Sequence, residues 1–269
     1  MLNPTVNVLF LSHGGGPLPL LGDDGHREMI ENLKHIASKI ERPKSILLIS
    51  AHWEESVPTV TGQPSPSLIY DYYGFPKEAY KIEYPAVGNP ELAKDVLNVL
   101  ERADIPANMD ENRGFDHGMF VPLKIMYPDA SIPCVQLSLK KGLNAAEHIE
   151  IGSALTGLKS ENLLIIGSGF SFHNLKTFFS SSKGQPDQEN EAFEQWLAET
   201  CTNRSISEAT RREKLIQWEA APGSRYCHPR EEHLIPLHVC YGASQAACSE
   251  SFSLRIMNKR SSVFLGQHS

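Results

Sequence analysis

Apolar positions in this chain follow two rhythms, short unbroken runs and helical spacings, which alternate along most of its length. Runs at 6–11, 45–50 and 163–166 have the length and the flanking turn residues of buried strands. Between the first two, Met29, Ile30, Leu33, Ile36 and Ala37 recur at helical spacing, and Arg42-Pro43 closes that helix. This β-loop-α-β unit predicts two parallel, neighbouring strands. Farther on, Asn89-Pro90 opens a helix with Leu92, Ala93, Val96, Leu97 and Leu100 on its apolar face. A short strand is expected near 106–109, a helix from Pro122 to Tyr127, a strand from Ile132 to Leu139 and a helix over 144–158. Helices at roughly 189–201 and 207–219 precede a third helical face that runs through Tyr241. Phe252 to Ile256 and Ser262 to Leu265 supply closing strands. Residues 53–89 are rich in Pro, Tyr and Gly and predict ordered loops that wall a pocket, whereas 180–188 reads as a surface loop. With no linker to split it, the chain is expected to form one α/β domain over 1–269, with a mostly parallel central sheet flanked by helices.

The chemistry lies just past the ends of the strands. The first run ends in Ser12-His13 and then Gly14-Gly15-Gly16-Pro17. Three glycines in a row suit a sharp turn that something approaches closely. The second run ends in Ser50-Ala51-His52-Trp53, and the third in Gly167-Ser-Gly-Phe-Ser-Phe-His173. Ligands of open α/β sheets gather at the carboxyl ends of strands. Three strands that each deliver a histidine there predict one shared site at that rim.

Composition narrows the options. The 269 residues are 41% hydrophobic, enough for a substantial core, and the net charge of -7 without a long basic run argues against a nucleic-acid surface. No stretch approaches the ~18 apolar residues of a membrane span, and no basic-then-apolar leader precedes the first strand. Five cysteines, an odd number without CxxC spacing, suit a reduced cytoplasmic chain. Eleven histidines are many for this length, and several sit beside Gly, Ser or Pro at the ends of apolar segments.

Neutral imidazoles bind divalent first-row metals, commonly as three protein ligands with open positions left for water or substrate. His13 alone reads equally as a polar loop residue, and His52 as a partly buried structural one; jointly they point to a metal. His233, in Glu231-Glu232-His233, is either a ligand or a residue of a helix's first turn. His173 is ligand, general base or loop, and His117 stands between glycines in Gly114-Phe-Asp-His117-Gly118. His228 is a loop residue, a pocket residue or an alternative ligand. His26, His35, His148, His238 and His268 read as structural or solvent-facing. The glycine loop lacks the lysine and hydroxyl of a phosphate loop. Gly167-Ser-Gly-Phe-Ser171 is misplaced for a nucleophile elbow, although a hydrolase using Ser168 or Ser171 stays open. A zinc hydrolase or other non-oxygenase fits the same histidines, as does a metal-binding protein without turnover.

Taken together, Ser12-His13-Gly-Gly-Gly-Pro, Ser50-Ala-His52-Trp, Gly114-Phe-Asp-His117-Gly, Gly167-Ser-Gly-Phe-Ser-Phe-His173-Asn and Glu232-His233-Leu-Ile-Pro-Leu resemble the class III extradiol ring-cleavage dioxygenases, most closely the DOPA 4,5-dioxygenase-like branch. Asp71-Tyr-Tyr-Gly-Phe-Pro76 is similar to the aromatic region of that branch. The resemblance implies extradiol cleavage of a catechol by O2 at one divalent ion, Zn(2+) or Fe(2+), held by His13, His52 and His233. His173 would be a fourth ligand or an acid/base, and His117 a catalytic residue lining the catechol pocket. Relatives acting on protocatechuate use a carboxylate as third ligand, where this chain has His233 beside Glu231 and Glu232. Tyr72, Tyr73, Phe75 and Phe115 are candidates for stacking on the ring, each with a core role as the alternative. Expected partners are a small aromatic diol and O2, with neither nucleic acid nor membrane, in a monomer or homodimer.

Overall fold

A computed structural model describes residues 6–178 and 187–268. Eight strands form one mixed sheet: β1 Val6–Ser12, β2 Ser45–Glu55, β3 Thr59–Thr61, β4 Asn108–Asp110, β5 Cys134–Lys140, β6 Leu163–Gly169, β7 Glu250–Ile256 and β8 Lys259–His268, in the order β4-β3-β5-β2-β6-β1-β8-β7. The centre is parallel, with β6 paired to both β1 and β2, and β2 paired to β5. Antiparallel pairing joins β8 to β1 and β7 on one side, and β3 to β5 on the other. The helices are α1 Arg27–Lys39, α2 Pro90–Arg102, α3 His117–Met126, α4 Ala145–Leu155, α5 Leu175–Phe178, α6 Gln188–Thr202, α7 Glu208–Ile216, α8 Ser224–Cys227 and α9 Ile235–Ser244. None of the described helices is long and apolar enough to cross a membrane.

Side chains on a strand alternate between its two faces, and both faces of the central strands are covered. Val8 and Phe10 of β1, Leu47 and Ile49 of β2, and Leu163 and Ile165 of β6 enter one core, shared with α2, α4, α6 and α9. Leu9, Leu11, Ile46, Leu48, Leu164 and Ile166 enter the other, against α1, α3 and the Tyr-rich segment. This explains the unbroken apolar runs.

One expectation is corrected. β1 and β2 are not neighbours, because β6 lies between them. Their histidines can still meet because β6 presents only Gly167, Ser168 and Gly169 beside the end of β1 and the middle of β2, and β2, expected to end at 50, runs on past it through His52 to Glu55. Residues 53–89 also hold the short strand β3, which joins β5 through a single residue pair and has too few residues to show a period. The expected loop at 180–188 lies mostly outside the described residues.

Helices α4 and α9 cross at glycine. A Cβ on Gly152 would lie 2.1 Å from the Val239 carbonyl oxygen, and one on Gly242 would lie 2.1 Å from that of Ile149. Gly152→Ala or Gly242→Ala should therefore separate the helices and destabilise the fold by about 1–3 kcal/mol, the usual range for overpacking. Chemical denaturation of each variant beside wild type measures this.

Candidate metal centre

At the carboxyl rim of the parallel strands, five imidazoles form one cluster. His13 follows β1 directly, its N–H bonded to the Gly169 carbonyl at 2.9 Å. His52 sits within β2, in the stretch where the β2–β5 register shifts between Ile49 and Glu54. Such an irregularity re-aims a side chain out of the regular alternation. His233 precedes α9, and its carbonyl accepts from the Phe170 N–H at 2.9 Å. A Cβ on Gly169 would lie 2.1 Å from that carbonyl oxygen, so this approach requires glycine. His117 begins α3 and His173 lies just before α5.

The nitrogens of His13, His52 and His233 lie within 4.8 Å of one another. His13 Nε2 and His52 Nε2 are 3.1 Å apart. Two nitrogens at zinc-ligand distance on a tetrahedral ion stand roughly 3.4 Å apart, so the spacing fits a shared ion. Tautomers agree with this. The Ser168 hydroxyl donates to the Gly118 carbonyl, so its oxygen accepts from His13 Nδ1–H at 3.1 Å, leaving His13 Nε2 with its lone pair. Glu232 takes the Nδ1 side of His233 at 3.0 Å, freeing its other nitrogen in the same way. Burial first, and then the neighbouring imidazoles, hold His13, His52 and His233 well below the ordinary imidazole pKa. They are neutral at neutral pH, the form a metal needs.

Two carboxylates flank the triad. Asp71 accepts from His117 Nδ1 at 2.7 Å and from the His117 backbone N–H at 3.0 Å, and its other oxygen is 3.7 Å from His52 Nδ1. Burial alone would raise the Asp71 carboxyl, but His117 and His52 outweigh it and bring the pKa down to about 2. Glu232 contacts His173 Nδ1 at 3.2 Å as well as His233. Burial opposes ionisation there too, yet its hydrogen bond to His173 leaves the Glu232 carboxyl below its usual range. Each carboxylate thus ties one imidazole of the triad to one outside it. The His173 ring stacks on that of His233 at 3.4 Å between centroids, and His117 lies 4.0 Å from His52.

The remaining candidate residues occupy a range of settings. Tyr72 packs edge-on to His117, with ring centroids 5.6 Å apart, and to Phe75 at 5.5 Å. Its hydroxyl donates to the Ala79 carbonyl at 2.6 Å, and burial pushes its pKa up to about 12. Tyr73 is 92% exposed. Phe115 is fully buried in the core, its backbone bonded to Ser67 and Ile69. The His228 ring is buried between Phe193 and Trp218, and its Nε2–H donates to the Ser171 carbonyl at 2.7 Å. It therefore packs beneath the His173 loop rather than joining the imidazole cluster. Three roles are not apparent from sequence: Asp71 and Glu232 as partners of histidine, and Ser168 as the group that sets the His13 tautomer. Asp71 opens the Asp71-Tyr-Tyr-Gly-Phe-Pro76 motif, the one signal that marks it.

The catalytic LigB subunit of aromatic ring-opening dioxygenase matches this chain over residues 8–265. The chain belongs to the LigB family. It is 38% identical over 246 residues to the 4,5-DOPA dioxygenase extradiol of Beta vulgaris, covering 88% of this chain and 86% of that protein. It is 40% identical over 253 residues to dioxygenase tasH of Hapsidospora irregularis, covering 88% of this chain and 78% of the other. The 4,5-DOPA dioxygenase extradiol of Escherichia coli is 34% identical over 244 residues, 90% of this chain and 87% of that one. The crystal structure of an uncharacterised Escherichia coli K12 protein, JW3007, superposes with a TM-score of 0.77 at 28% identity, covering 97% of this chain and 99% of that one. This LigB-family chain is an extradiol ring-opening dioxygenase. Membership selects ring opening over the hydrolytic reading that the histidines alone left open.

Acid should disarm the site in a defined direction. The unfolded imidazoles titrate near pH ~6.5, and those of His13, His52 and His233 titrate lower in the fold. As pH falls below that value, the unfolded chain takes up protons first, so the metal-free protein is most stable above it and weakens below it. Buried His228 and His238, lowered to about 3 and about 4 by burial, act in the same direction. Denaturant titrations at several pH values should show stability falling from pH ~7 toward pH ~5, with metal affinity falling alongside.

Proposed function

We propose that this protein cleaves a catechol-type ring, DOPA-like or related, with O2 at one divalent ion held by His13, His52 and His233. The convergence of three neutral imidazoles, two buried and His52 half-buried, between two carboxylate-held histidines is the observation that supports this. The three rings suit Zn(2+) or Fe(2+) by donor type. When bound, a redox-active ion supplies the means to bring O2 and an aromatic diol together on one centre and to relieve the spin restriction on their reaction.

The chain's own groups do the rest. A catechol must lose hydroxyl protons to chelate an ion. Asp71 takes the Nδ1–H of His117, which leaves the lone pair on Nε2 to accept one. Glu232 orients His173 in the same way on the His233 side, and His173 serves as the second acid/base or as a fourth ligand. Proton acceptors thus stand on both sides of the triad, which suits a substrate with two adjacent hydroxyls. Tyr72 beside His117, with Phe75 packed edge-on to Tyr72, supplies apolar surface for the ring plane. The Tyr72 hydroxyl is committed to Ala79, so that residue offers its ring and not a proton.

The test is anaerobic loading with Fe(II), then a panel including DOPA and protocatechuate, then air. One O2 should be consumed per ring opened, with a yellow product. His52→Ala should abolish metal binding. His117→Ala should keep the metal and lower kcat about 100-fold, the common size of a general acid–base contribution. Loaded protein that turns over no catechol in the panel contradicts the proposal.

A further inference from the structure

The three glycines after His13 have a partner within the chain. Gly14 and Gly16 adopt φ of +82° and +56°, a region that side chains disfavour. A Cβ on Gly14 would lie 2.6 Å from His26 Cδ2, so the His26 ring lies directly against the loop backbone. The Gly15 N–H donates to His26 Nε2 at 2.9 Å, and His26 Nδ1–H donates to Asp23 at 2.6 Å. His26 is fully buried, yet it stands apart from the imidazole cluster. Only the tautomer with its proton on Nδ1 can accept from Gly15, and Asp23 selects that tautomer. On the other side of the loop, Gly16 abuts Phe75, with a Cβ there falling 3.4 Å from the ring. The turn between β7 and β8 closes over the arrangement, the Met257 N–H bonded to the Gly25 carbonyl at 2.9 Å.

We propose that His26, held by Asp23, is a positioning residue that fixes the glycine loop between His13 and the aromatic wall at Phe75. The inference rests on the reading of His13 as a metal ligand. A run of three glycines has more backbone freedom than any other tripeptide, and such freedom at a ligand loosens the site. His26 removes it through one accepted hydrogen bond and direct packing, without touching metal or substrate. A side chain of equal bulk without an acceptor would fill the space but leave the half-buried Gly15 N–H without this partner.

The experiment compares wild type, His26→Phe, His26→Gln and Asp23→Leu by titrating metal-free protein with Co(II) and reading its visible absorption bands. KM and kcat for a catechol are read separately. His26→Phe should still take up one Co(II) per chain, with altered bands, affinity at least about tenfold weaker and KM raised more than kcat is lowered, as for groups that orient metal ligands. His26→Gln offers an oxygen acceptor to Gly15 and should restore affinity and KM to within about threefold of wild type. Asp23→Leu, which keeps the imidazole and frees its tautomer, should shift the bands and weaken affinity less than His26→Phe; it carries the test if His26→Phe does not fold. Wild-type bands, affinity and KM in a folded His26→Phe overturn the proposal, as does a His26→Gln that is no better than His26→Phe. Absence of wild-type catechol turnover would refute the proposed function instead, and the Co(II) comparison would still decide the role of His26.

Discussion

Two imidazole nitrogens held 3.1 Å apart in a half-buried cluster, with a third imidazole beside them, cannot all carry protons. Protonation would place like charges together where water screens them poorly, and burial adds its own penalty. The rest of the rim is arranged to meet that constraint. Ser168 occupies the outer nitrogen of His13, Asp71 stands by that of His52, and Glu232 takes that of His233. Each ring therefore has a polar neighbour behind it and directs its chemistry inward. The two carboxylates are shared with His117 and His173, so the orientation of the triad and that of the two histidines proposed to move protons depend on the same two side chains.

Close approach of backbone makes this possible. The sheet brings β1, β6 and β2 side by side, and the middle strand ends in small residues. His52 lies over Gly118, where a Cβ would come within 3.1 Å of its ring, and the His233 carbonyl lies over Gly169. Behind the sheet, Gly152 and Gly242 let α4 meet the later turns of α9, while Gly167 lets β6 approach the Pro236 carbonyl at the start of that helix, next to His233. Precision at the rim thus rests on packing in both layers, and the glycines are where the two are joined.

Much of this is legible in the sequence because it is local. Buried parallel strands read as apolar runs, and the histidines at their ends are visible as short motifs. His13, His52 and His173 stand out on that basis, and His117 and His233 through a glycine-flanked motif and a helix start. Strand order is not legible: β1 and β2 are successive strands of the chain, but the order is set by β6, more than a hundred residues away. Pairings across the fold are equally hidden. Asp71 meets His117 over 46 residues, and Ser168 meets His13 over 155. His228 carries the same local signals as His173, a loop position beside a turn-forming residue, and only the packing of Phe193 and Trp218 around it separates them.

The central claim is that His13, His52 and His233 share one ion, and anomalous diffraction from crystals of iron- or zinc-loaded protein tests it most directly. A single peak per chain at ligand distance from all three rings, with His117 and Asp71 remaining paired beside it, is the predicted result. A peak elsewhere in the chain, or loaded crystals in which the three rings stand apart without a common ion, would contradict the account.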